Sequence, residues 1–150
     1  PIQDLLEYLY KGGNKVSQGK YIVIEGDEGS GKGTQVEQLE RHLAHAGIYC
    51  ELVREPGGDP VAEQLREILK FSEHEIVPLA EVFGFLMARV QVLELVVKPL
   101  LAEGTWVLSD RSTLSTIVYQ GVMRGLIEQN SEGFLAACQL AQLVEPDLLR

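Results

Sequence analysis

The stretch Tyr21-Ile22-Val23-Ile24-Glu25-Gly26-Asp27-Glu28-Gly29-Ser30-Gly31-Lys32-Gly33-Thr34 decides how the rest of the chain is read. Its first four residues are β-branched or aromatic, the composition of a buried strand. The strand runs into a glycine-rich loop. Beyond it, Val36, Leu39, Leu43 and Ala46 recur on one helical face until Gly47 stops them. Gly26, four residues and then Gly31-Lys32 follow the spacing G-x-x-x-x-G-K. Such glycines let the backbone wrap with its N–H groups turned inward, as a nest for an anion. The following helix adds unsatisfied N–H groups and the positive end of its dipole. Lys32 adds a mobile positive charge. Where the pattern has serine or threonine directly after the lysine, this chain has Gly33, and the hydroxyl arrives one residue later at Thr34.

Working outward, strands and helices alternate. Ile48 to Arg54 reads as a second strand closed by Glu55-Pro56-Gly57-Gly58, and Val61 to Leu69 as a helix. A longer helix runs from about Ala80 to Ala102, and Thr105 to Leu108 forms a third strand that delivers Ser109-Asp110-Arg111. Further helical stretches follow at about Ser115 to Met123 and Gly133 to Val144. This alternation predicts an α/β domain, a central parallel sheet flanked by helices in three layers. The domain occupies residues 20–150. Residues 1–19 form an extension and linker, with a short helix expected over Pro1 to Tyr10 before Lys11-Gly12-Gly13-Asn14.

The 150 residues suit one domain, and 45% apolar with 23% charged residues exclude disorder, collagen and a coiled-coil rod. Thirteen basic against 22 acidic residues give a net charge of −9, which repels a phosphate backbone. Binding to nucleic acid or an anionic membrane is therefore not expected. The most apolar run, Val90 to Leu101, is interrupted by Gln91, Glu94 and Lys98 and cannot span a bilayer. Cys50 and Cys138 stand far apart without a metal or disulfide pattern, as expected of reduced thiols in a cytoplasmic protein.

Two further signals concern a ligand. On the long helix, Val82, Leu86, Leu93, Val97 and Leu100 define an apolar stripe, and Arg89 falls about 20° from Val82 within it. Burying a guanidinium is costly unless it is paired. With Phe85 one turn earlier, Arg89 suits the wall of a site for a flat heterocyclic base; alternatively it is tied to a structural carboxylate such as Asp110. Asp110 and Arg111 end an apolar strand, the edge where open α/β sheets bind ligands. There Asp110 can orient water around Mg²⁺ and Arg111 can clamp phosphate. Ser115, Thr116, Tyr119 and Gln120 place hydrogen-bonding groups on one short helix, either a solvated face or a base-reading wall.

These stretches together resemble the bacterial thymidylate kinases, a family of P-loop nucleoside monophosphate kinases, from about Lys20 to Leu148. The likeness rests on Tyr21 to Gly26 with the glycine loop, on Arg54-Glu55-Pro56-Gly57-Gly58, on Phe85 with Arg89, and on Asp110-Arg111 with Ser115-Thr116-Ile117-Val118-Tyr119-Gln120-Gly121. The resemblance implies transfer of the γ-phosphoryl group of ATP to dTMP, with Mg²⁺, in a homodimer. It implies that Gly26 to Thr34, with Lys32 foremost, hold the ATP phosphates, and that Thr34 and Asp110 serve the metal through water. Arg54 and Arg111 would contact the acceptor phosphate, and Phe85 would stack on thymine. Arg89, Thr116 and Gln120 would read the base edge, Ser115 would join this wall, and Glu28 and Tyr119 would stand near the sugar. Lys32, Asp110 and Arg111 would carry catalysis. Ala88, Ser112 and Leu114 depart from the family's usual aspartate, tyrosine and aspartate. Family chains continue beyond Pro146-Asp147-Leu148 with strands and an arginine-rich lid, so a longer protein is expected. Gly29 to Gln35 suits adenylate kinases equally well, and a nucleotide-binding module without catalysis is the remaining alternative.

Overall fold

The structure, a computed structural model, describes residues 19–142; the helix expected over residues 1–10 and the end of the last helix lie outside them. Three parallel strands form the sheet in the order β1 (Tyr21–Ile24), β3 (Trp106–Asp110), β2 (Cys50–Arg54). The second and third strands are expected at Ile48 and Thr105; both start one or two residues later, and β3 runs on to Asp110. The register sets Ile24, Asp110 and Arg54 level with one another. The carboxyl ends of all three strands therefore open on one edge, and the segments that follow them converge there.

Side chains alternate across the sheet, and both faces are covered, as a parallel sheet requires. Tyr21, Val23, Val53 and Val107 face a cluster that includes Ala62, Ala88, Val92, Leu93 and Val97. Ile22, Ile24 and Leu108 face Leu39 and Leu43 of α1 (Lys32–His45). A helical layer packs outside the first cluster, where Val82 and Leu86 meet Phe134, Ala137, Cys138 and Ala141. The three-layer α/β architecture read from the alternation of elements is the one observed.

Local chemistry explains the helix boundaries. Helix α2 (Pro60–Phe71) starts at Asp59, whose side chain accepts from the N–H groups of Val61 at 2.9 Å and Ala62 at 3.3 Å, with proline at the first helical position. The long helix expected over residues 80–102 is not uniform. It comprises α3 (Pro78–Val92), a π-helical turn at Leu93–Val97, and α4 (Lys98–Ala102). Pro99 has no N–H to donate back along the helix, and the wide turn lies just upstream of it. The stretch after β3 is likewise split, into α5 (Thr113–Thr116) and a π-helical segment at Ile117–Met123. Helix α6 (Leu126–Gln142) breaks at Asn130, where φ is −156° and ψ is 65°. The Asn130 side chain accepts from the Gly133 N–H at 3.2 Å and restarts the helix, so periodicity alone shows only the part from Gly133 onward.

Phe134 joins this outer layer to the site. It is fully buried, and a Cβ added at Gly121 would come within 2.7 Å of its ring. The glycine thus lets the π-helical segment that carries Tyr119 and Gln120 lie directly on the ring. Phe134→Ala is expected to cost about 3–5 kcal/mol in urea unfolding; a cost below about 1 kcal/mol, as for a surface change, would contradict this packing.

Candidate functional site

The glycine loop joins β1 to α1. Gly31 holds the position before the helix at φ 80°, in the left-handed region that favours glycine. No side chain caps α1, which leaves its first N–H groups to an outside acceptor. Within the loop, the Ser30 N–H donates to the Asp27 carbonyl at 3.2 Å, and the Glu28 N–H to the Asp27 carboxylate at 2.8 Å. Lys32 reaches across the sheet edge to Asp110 at 2.7 Å. Thr34 is exposed, and a Cβ at Gly33 would meet nothing within 4 Å, so crowding does not force the glycine there.

Beside this loop lies a cleft of about 200 Å³. Phe85 and Arg89 line it from α3, Thr116 from α5, and Tyr119 and Gln120 from the π-helical segment. Arg111, Ser115 and Glu28 also face it. Eight of the nine side chains expected around the acceptor are thereby brought together. Arg54 is not. Its Nη2 donates to both oxygens of Glu63 at 3.1 Å, outside the cleft lining. Glu63 also accepts from the Gly58 N–H at 3.0 Å, and this bond, ahead of Arg54, lowers its pKa. Gly57, with φ 142°, turns beside Glu63, and a Cβ there would come within 2.6 Å of the carboxylate.

Arg89 is indeed paired, but not with Asp110. Its Nε donates to Glu55 at 2.6 Å, and the two side chains are only 5% and 4% exposed. Asp110 is engaged by Lys32 instead. Glu55 also lies 3.4 Å from the hydroxyls of Tyr21 and Ser109. The carboxylate that orients Arg89 therefore comes from the end of β2, while the neighbouring helical position is Ala88.

Carboxylates set the opposite wall as well. Glu25 accepts from both the N–H and the hydroxyl of Ser112 at 2.6 Å, and from the Ser115 hydroxyl at 2.7 Å. Arg111 donates to Ser115 at 3.0 Å and lies 5.2 Å from the centre of the Tyr119 ring. Its φ of 112° is strained for a side-chain-bearing residue, which aims the guanidinium from the strand end toward this cluster. Gln120 donates to Glu81 at 2.9 Å, and Arg124 holds the other oxygen of that carboxylate at 2.7 Å. Glu55, Pro56 and Lys70 complete the cleft lining and are not among the residues singled out from sequence. Glu55 and Pro56 belong to a quoted motif, whereas nothing in the pattern around Lys70 marks it.

A nucleotide-phosphate loop at the carboxyl edge of a parallel sheet, with a mixed aromatic and polar cleft beside it, defines a P-loop α/β nucleotide-binding domain. Comparison with known proteins narrows the class. A family model described as thymidylate kinase matches residues 24–148. Thymidylate kinase from Geotalea daltonii is 47% identical over 118 residues, covering 78% of this chain and 55% of its own length. That from Idiomarina loihiensis is 44% identical over 109 residues, covering 72% and 53%. The crystal structure of thymidylate kinase from Ehrlichia chaffeensis superposes with a TM-score of 0.72 at 32% identity, covering 87% of this chain and 70% of that one. The chain belongs to the thymidylate kinase family. It spans about half the length of the curated relatives it matches.

One contact links the glycine loop to the cleft wall. The Tyr119 hydroxyl donates to the Asp27 carboxylate at 2.8 Å, and this bond, followed by the Glu28 N–H, holds the Asp27 pKa below its ordinary value. A lowered folded-state pKa means the contact supports the fold above the pKa of the unfolded carboxyl. That support is lost as pH falls through the folded value. In an NMR pH titration, Tyr119→Phe should raise the Asp27 pKa toward its ordinary value; an unchanged titration would contradict the contact.

Proposed function

We propose that the protein transfers the γ-phosphoryl group of ATP to dTMP, giving dTDP and ADP. The observation that carries this reading is the pairing of two sites on one edge: a nest of loop and helix amides with Lys32, and beside it a cleft bearing Phe85 and Arg89. The loop from Gly26 to Thr34 holds the ATP phosphates. In the cleft, Phe85 stacks on the pyrimidine, Arg89, Thr116 and Gln120 read its edge, and Glu28 and Tyr119 stand at the sugar. Arg111 grips the acceptor phosphate; Arg54 joins only by leaving Glu63.

The acceptor is a phosphate monoester with a second pKa of about 6, so it is mostly a dianion at neutral pH and needs no general base. What remains for the protein is to align two polyanions and offset their charge. Lys32, on the glycine loop, and Arg111, in the cleft, would do this. Among the described residues no group of three or more His, Cys, Asp or Glu could cage a metal ion. That donor set fits Mg²⁺ held chiefly by nucleotide phosphates, with Asp110 and Thr34 reaching its water shell. Bound there, Mg²⁺ would supply charge neutralisation at the phosphates. Lys32, engaged by Asp110 in the structure, would exchange that carboxylate for phosphate.

The same reading makes the protein a cytoplasmic homodimer that binds neither nucleic acid nor membranes. Supporting it, Phe83, Met87 and Leu95 are exposed along α3 and the turn after it, while Cys50 and Cys138 are buried free thiols. No helix among the described residues is long and apolar enough to cross a membrane.

A coupled ADP-release assay on the full-length protein tests the reaction. Turnover should be faster with dTMP than with AMP; the reverse would point to adenylate kinase, and ATP binding without dTMP binding to a module without catalysis. Lys32→Met should lower kcat by about 10²- to 10³-fold and leave dTMP affinity unchanged. Equal loss of both would mean that Lys32 serves the acceptor.

A further inference from the structure

Three cationic side chains line the cleft: Arg89, Arg111 and Lys70. The Glu55 carboxylate at 2.6 Å balances the first of them. Arg54, expected to help hold the acceptor phosphate, lies outside the lining with Glu63. A phosphate dianion entering the cleft therefore meets Arg111 and one cation that no sequence motif marks.

Lys70 sits in the last turn of α2 and lines the cleft together with Arg111. Although Lys70 stays largely open to solvent, its pKa is lowered, first by partial desolvation and then by the charges of Arg66 and Arg111. Glu28 and Asp110 act on it in the other direction, through space rather than through a hydrogen bond. Asp110 is itself engaged by Lys32, and Arg66 donates to the Pro56 carbonyl at 2.8 Å. Mutually repelling cations at a cleft wall are relieved when an anion enters between them. A lysine is suited to that task, because its compact ammonium rides on a flexible stem and can follow a phosphate as it moves.

We propose that Lys70 is a phosphate-binding residue of the acceptor cleft, gripping the dianionic phosphate of a nucleoside monophosphate together with Arg111. This assignment rests on the dTMP kinase reading above. Lys70 supplies the second positive charge on the acceptor side and discriminates a nucleotide from its nucleoside.

Calorimetry on the full-length protein, with dTMP and thymidine as ligands, tests the assignment. Lys70→Met should weaken dTMP about tenfold, the scale of one lost charge-assisted hydrogen bond, and leave thymidine affinity unchanged. Lys70→Arg should restore most of the dTMP affinity. If Lys70→Met binds dTMP as tightly as the parent, or loses dTMP and thymidine equally, the role of Lys70 is overturned while the kinase reading stands. If the parent protein binds neither ligand, the acceptor assignment fails and the role of Lys70 fails with it.

Discussion

The ion pair between Glu55 and Arg89 is the constraint on which the cleft depends. Both side chains are almost wholly buried; Glu55 directly follows β2, and Arg89 lies on α3. Neither charge is tolerable there alone, since desolvating a single ion costs several kcal/mol. Together they fix the distance between the strand end and the helix. The hydroxyls of Tyr21 and Ser109 near Glu55 bring β1 and β3 into the same junction. A buried ion pair adds little net stability compared with a packed apolar pair. Its contribution here is orientation: a guanidinium held by Glu55 in a cleft that Phe85 also lines.

The same device recurs along the sheet edge. Glu25 holds Ser112 and Ser115, Asp110 holds Lys32, and Asp27 receives Tyr119. Each carboxylate leaves or follows a strand end and meets a residue from another segment. The parallel register that levels Ile24, Asp110 and Arg54 makes these meetings possible. It also brings the loop proposed to hold one polyanion beside the cleft proposed for another. Phosphoryl transfer between two nucleotides asks for that arrangement, because its chemistry is mainly positioning and charge compensation.

Much of this was legible from residue order alone. A four-residue apolar strand, a glycine loop and a periodic helix can hardly be arranged otherwise than as the P-loop unit. Arg89 within an apolar stripe announced a buried charge. Its partner did not announce itself, because Glu55 lies 34 positions away and meets it only when β2 packs on α3. The pairing of Arg54 with Glu63 is hidden for a related reason: the two meet only when α2 folds back beside the turn after β2. Lys70 was silent, since a lysine in the last turn of a helix is ordinary until α2 is docked. The two π-helical segments were hidden as well, because a widened turn barely alters the spacing of apolar residues.

A double-mutant cycle across Glu55 and Arg89, read by chemical unfolding of the full-length protein, tests the central claim most directly. Glu55→Gln and Arg89→Met should each cost about 3–5 kcal/mol, because each strands a buried partner. The double variant should cost less than the sum by at least about 1.5 kcal/mol. Strict additivity of the two losses would contradict the account, for it would mean that the arginine and the carboxylate stand in the fold independently of one another.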